Sequence, residues 1–245
     1  MSKSAHELTR KEMKAPDQFQ VVAGQAAGWL AQHQKRIVAI VAALVGVMLV
    51  MGVVSVFQGK QEEKAATALY KVLEAMGGQI ATATPTPGAQ GPFYKDEQEQ
   101  QKAILSAADG VIKGFPSSRA ARVARLAAAS AHLRLGENDA ALQTYQDTVA
   151  SFRPGDGLQF AVLEGLAFTQ EAKGDLKGAA ATLDRLSKDS PEFKDRAMFE
   201  KARLLAKDGQ LDEARKILTA FPTENATSML QGDAKALLER LGTKK

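Results

Sequence analysis

Side chains able to do covalent or metal chemistry are sparse in this chain. There is no cysteine, which removes disulfides, thiolate zinc sites, a cysteine-linked lipid anchor and cysteine nucleophiles. The three histidines, His6, His33 and His132, show no paired metal spacing. No glycine-rich phosphate loop and no nucleophile-elbow serine occurs. Aspartates and glutamates are scattered as on solvated helix surfaces. No catalytic, cofactor-binding or metal-binding set emerges, and neither an enzyme nor a small-molecule substrate is expected. The chemistry that remains is recognition. Leu126, Ser130, Leu133 and Arg134 fall on one helical stripe. Glu164, Phe168 and Glu171 fall on a second, and Arg196, Phe199, Arg203 and Lys207 on a third. Aromatic rings among charges of both signs suit an amphipathic peptide, because aromatics and Arg recur among binding hot spots. Phe168 and Phe199 also admit a packing role, in which superhelical twist buries them between neighbouring helices.

These stripes need elements to carry them, and the elements repeat. "LRLGENDAALQTY" recurs as "EAKGDLKGAAATL" and "LAKDGQLDEARKIL". With Gly136, Gly174 and Gly209 aligned, Ala141, Ala179 and Ala214 stand five residues later. Tyr145, Leu183 and Leu218 stand nine later, and Ala129, Ala167 and Ala202 seven earlier. Glycine ends a helix in the left-handed region without steric cost. Asp139, Asp175 and Asp212 near the next helix start suit its exposed amides. The alanines let two antiparallel helices approach, and the large residue one turn on fills the space beside them. This spacing resembles the tetratricopeptide repeat, a helix–turn–helix unit of about 34 residues whose first helices line a concave face. Lys201, His132 and Gln170 depart from it, replacing a large apolar residue and two tyrosines.

"IVAIVAALVGVMLVMGVVSVF" (37–57) has no charge, Asn, Gln or Pro. At a rise of about 1.5 Å per residue it matches a bilayer's hydrocarbon core. It is expected to be a single transmembrane helix, and a cleaved signal peptide fits it badly. Six Lys/Arg and three acids precede it, including the abutting Lys35 and Arg36. With Lys60, Lys64 and Lys71 on the other side, the basic count nearly balances, but the whole tail favours an inside N-terminus. Residues 19–33 read either as an interfacial helix or as a weakly helical tail. Beyond the span the charges nearly cancel, which argues against a nucleic-acid binder.

The expected organisation is a cytoplasmic tail over 1–36, the span over 37–57, and a linker region over 58–116. The linker holds a helix at 61–76, a Pro/Thr-rich loop over 77–92 and a partial repeat at 103–116. The array follows over 117–245, closed by a helix with Leu230, Ala234, Leu237, Leu238 and Leu241 on one stripe. The fold class is all-α. One span, a short tail, a linker helix and a C-terminal repeat array, with the run "FPSSRAARVARLAAASAHLRLG" (115–136), resemble the YfgM-like family of ancillary SecYEG translocon subunits. That resemblance implies a bacterial inner-membrane protein with its array in the periplasm. It implies as partners the SecYEG translocon and periplasmic chaperones such as the membrane-anchored prolyl isomerase PpiD. A scaffold in another envelope assembly, for cell division or secretion, is the alternative.

Overall fold

The computed structural model describes residues 46–48, 51–52, 54–81, 91–152 and 155–242. The chain divides into two compact units, residues 1–59 and 60–245. In the first, the described residues 46–48, 51–52 and 54–59 are helical, and Met48, Met51 and Phe57 are exposed. The tail over 1–36, its 19–33 stretch, and residues 37–45, 49, 50 and 53 of the expected span lie outside the described residues. No helix among the described residues is long and apolar enough to cross a membrane.

The second unit is a run of antiparallel helices. Residues 60–76 are helical (α1). They are followed by α2 (Glu97–Gly114), α3 (Arg119–Arg134), α4 (Asn138–Val149), α5 (Gln159–Ala172) and α6 (Leu176–Asp189). A 3-10 turn at Pro191–Phe193 leads into α7 (Lys194–Lys207), then α8 (Leu211–Glu224) and α9 (Gln231–Leu241). Each helix from α2 onward packs mainly on its sequence neighbours. Among the described residues, the buried side chains accordingly form four linked clusters. They join α1 with α2 and α3, α3 with α4 and α5, α5 with α6 and α7, and α7 with α8 and α9. This is the nearest-neighbour architecture of a helical-hairpin solenoid.

The aligned columns take the places their chemistry requires. Gly136, Gly174 and Gly209 have φ of 75°, 81° and 79°. Each closes its helix with the same pair of bonds. Glu137 N–H donates to the His132 carbonyl at 2.9 Å while Gly136 N–H donates to Leu133 at 3.0 Å. Asp175 and Gln210 N–H repeat the first of these, donating to the Gln170 and Leu205 carbonyls, both at 2.9 Å. This is the Schellman arrangement, which satisfies carbonyls the helix end leaves free. Ala129, Ala141, Ala167, Ala179, Ala202 and Ala214 are all 0% exposed. Tyr145, Leu183 and Leu218 are buried beside them. Tyr145 lies so close over Gly165 that a Cβ there would overlap its ring.

The three departures are met by polar partners. Lys201 of α7 reaches Asp184 of α6 at 2.6 Å, Thr182 donates to Gln170 at 2.7 Å, and His132 Nδ1 lies 2.6 Å from Glu137. Of the three aspartates, only Asp175 caps, accepting from Gly178 N–H at 2.9 Å. Asp139 instead pairs with Lys173 of the next repeat. Asp212 pairs with Arg215 at 3.0 Å in its own helix.

Two features differ from an uninterrupted all-α chain with a plain loop after α1. Gln79–Ile80 (β1) pairs in parallel with Phe93–Tyr94 (β2), pinning the ends of the 77–92 segment. The buried Gln100 side chain donates to the carbonyls of Ala75, Met76 and Gly78 at 3.1, 3.3 and 3.0 Å. A side-chain amide from α2 thus satisfies the carbonyl end of α1, where no glycine cap of the repeat type stands. The partial repeat also begins earlier than the apolar pattern alone indicates. Asp96 caps α2 by accepting from Glu99 N–H at 2.8 Å, and the Glu99 carboxylate reaches back to Lys95 N–H.

Candidate peptide-binding face

The first helices of the second and third hairpins, α5 and α7, meet through charges. Glu164 and Glu171 are seven residues apart on α5, and Arg196 and Arg203 are seven apart on α7. Seven residues make about two helical turns, so each pair shares one face. Glu164 pairs with Arg196, and Glu171 with Arg203 and Lys207. The Arg203 guanidinium grips Glu171 with two bonds, 2.9 Å from Nη1 to Oε1 and 2.5 Å from Nη2 to Oε2. Lys207 adds a third contact at 2.8 Å, and Arg203 Nε reaches Glu200 at 2.7 Å. A planar fork matched to a carboxylate is the strong form of this interaction.

The two carboxylates respond oppositely to these settings. The Arg203 hydrogen bonds, outweighing burial and aided by Lys207, hold Glu171 down at about 2. Glu164 is raised, because burial costs its charged form more than Arg196 returns. Arg203 is raised by the same hydrogen bonds to Glu171.

Phe168 stands on the α5 face between Glu164 and Glu171, one turn from each. It is half-buried and belongs to none of the core clusters. Phe199 is different. It packs against the cluster of Ala202, Leu218, Phe221 and Ala234, and it also lines a cleft at the start of α7. The α3 residues expected to share this face are drawn elsewhere. Leu126 packs on the cluster around Tyr145 and Val162. Ser130 lies by the Tyr145 side chain, whose hydroxyl pKa is raised by burial. Leu133 is half-buried, and Arg134 pairs with Glu97 of α2 at 3.0 Å. The expected set therefore converges on α5 and α7, where Glu164, Glu171, Arg196, Arg203 and Lys207 are ion-paired and Phe168 stands between the two glutamates on α5. Sequence spacing put these charges on shared helical stripes, but it carried no sign that they bind each other.

No group of His, Cys, Asp and Glu suited to a metal ion occurs among the described residues.

The repeated hairpins define a class, and a family comparison agrees with it. Residues 27–220 match the family model described as a tetratricopeptide repeat-like domain, and the chain belongs to that family. No curated protein matches it. Among solved structures, it is similar to a putative kinesin light chain from Podosopora anserina, described as having nearly identical TPR-like repeats. The identity is 17%, the match covers 58% of this chain and 85% of that one, and the TM-score is 0.48.

Proposed function

We propose that this protein is a membrane-anchored protein-interaction module whose array holds a segment of a partner protein on the α5–α7 face. The observation that carries the reading is Phe168, half-buried outside every core cluster and framed by Glu164 and the Arg203–Glu171–Lys207 group. A ring flanked by charges already ordered against each other offers an apolar contact with little ordering cost on binding. Membership of a repeat family whose hairpins build extended surfaces supports the same reading. The uncharged 37–57 segment supplies the anchor in this proposal. The resemblance to the YfgM-like family supplies the assembly: the protein is an ancillary subunit of the SecYEG translocon and brings periplasmic chaperones such as PpiD to it. Extraction of the full chain in mild detergent, followed by identification of co-purifying proteins, tests this. Translocon subunits and the chaperone are expected, and Phe168→Ala is expected to release at least one of them. Recovery of a division or secretion complex in their place would reassign the assembly. Unchanged capture by Phe168→Ala would remove the α5–α7 face.

A further inference from the structure

At the C-terminal end of the array, a cleft of about 910 Å³ opens between the start of α7 and the α8–α9 connection. Phe193, Arg196 and Phe199 stand on one wall, and Glu224, Ser228 and Met229 on the other. The connection is tied at several points. Ser228 donates to the Asp195 carboxylate at 2.5 Å and accepts from Leu230 N–H at 3.1 Å. Ser228 N–H and the Gln231 side chain both donate to the Asn225 carbonyl, at 2.9 and 2.6 Å. Leu230 packs on the last core cluster. Met229 is held between these two anchored neighbours, and it is 97% exposed. Burying a large apolar side chain is favourable, so a backbone that holds one out beside a cleft presents it for contact. Methionine suits this use because its unbranched thioether adapts to differently shaped partners.

The wall charges decide what that partner is. Glu192, Asp195, Glu200 and Glu224 oppose only Lys194 and Arg196 in the lining. Lys194 is neutralised by Glu224 at 3.2 Å, and Arg196 is engaged by Glu164, which lies outside the lining. Glu200 is met by Arg203, also outside it, so the excess rests on Glu192 and Asp195 and is negative. An anionic lipid surface or an acidic peptide is repelled, and a basic segment is drawn in. We infer that this cleft docks a segment of a partner protein in which a Lys or Arg adjoins a large apolar side chain. The apolar group sits against Met229 and the open part of Phe199, and the basic group against Glu192. The inference rests on the reading of the array as a protein-interaction module, and it adds a second contact of defined chemistry beside the α5–α7 face.

The test uses the full chain in a neutral detergent and two labelled peptides, one of Leu and Lys and one with every Lys replaced by Glu. Fluorescence anisotropy is expected to show saturable binding of the Leu/Lys peptide only. Glu192→Lys and Met229→Ser, both at exposed positions, are each expected to weaken it roughly tenfold while circular dichroism stays unchanged. Equal binding of both peptides, or wild-type affinity in both variants, overturns the inference. So does Met229-dependent binding to phosphatidylglycerol vesicles in preference to the peptide. Co-purification separates this outcome from failure of the wider reading. Partners retained by Glu192→Lys and Met229→Ser but released by Phe168→Ala remove the cleft and leave the α5–α7 face standing. Partners released by the two cleft variants but retained by Phe168→Ala do the reverse.

Discussion

Glu164 and Glu171 occupy equivalent turns of one helix, yet they contribute to stability with opposite sign. Glu171 is held near 2, so its share is complete above the ordinary carboxylate range and is lost as pH falls from there toward 2. Glu171→Gln is therefore expected to lower stability at pH 7 by about 1 kcal/mol, the scale of a good but partly open ion-pair group. The gap from wild type should close as pH falls toward 2. Glu164 is raised, so its ionised form is the costly one. The stability it contributes is present below the ordinary carboxylate value and fades as pH rises through its own. Glu164→Gln should then leave pH 7 stability unchanged or raise it, even though an ion pair with Arg196 is removed. Chemical denaturation of both variants checks the pair, and a large loss in Glu164→Gln would show that Arg196 outweighs the burial.

Within a hairpin, the limiting quantity is the distance at which two helices cross. Ala167 and Ala179 are both 0% exposed, from α5 and α6, and they pack in one cluster with Leu163, Leu183 and Leu186. Ala179→Leu is expected to overpack that crossing and cost about 1–3 kcal/mol. Thermal unfolding followed by circular dichroism measures it, and an unchanged midpoint would mean the crossing has room. The turn is equally constrained. At φ 81°, Gly174 takes a conformation that burdens any residue with a Cβ, though open space surrounds it. Gly174→Ala should therefore cost about 1–2 kcal/mol by backbone strain alone. A loss much beyond that would point to a packing role for the turn.

Across the whole molecule, stability propagates only between neighbours, because each cluster links consecutive helices. Truncating Leu183, buried among α5, α6 and α7, should thus raise amide exchange most in those helices and leave α2 and α3 close to wild type. Uniform loss of protection along the array would show a single cooperative unit. Topology belongs to this scale as well. The basic tail before residue 37 leads us to propose an inside N-terminus and an exported array. Alkaline phosphatase fused after Lys245 is expected to be active in cells. A stable but inactive fusion would reverse the orientation.

The repeat was legible in the sequence because its constraints are local and recur. A left-handed turn needs glycine at Gly136, Gly174 and Gly209, and a close crossing needs alanine at fixed offsets from each. Any chain meeting those conditions three times in register has little choice of hairpin. Stripe assignment followed from the same period, which is why Glu164, Phe168, Glu171, Arg196, Arg203 and Lys207 share a surface. What they touch is another matter. Glu171 and Arg203 are 32 residues apart in the chain, and their meeting depends on how one hairpin stacks on the next. The same holds for Gln100, which seals α1 across 25 residues, and for Leu126, which packs against a core cluster. It holds also for the cleft, where Ser228 finds Asp195 and leaves Met229 outside. Periodicity specifies the face a side chain occupies. Only the stacking of hairpins decides whether that face meets solvent, a neighbour or an opposite charge.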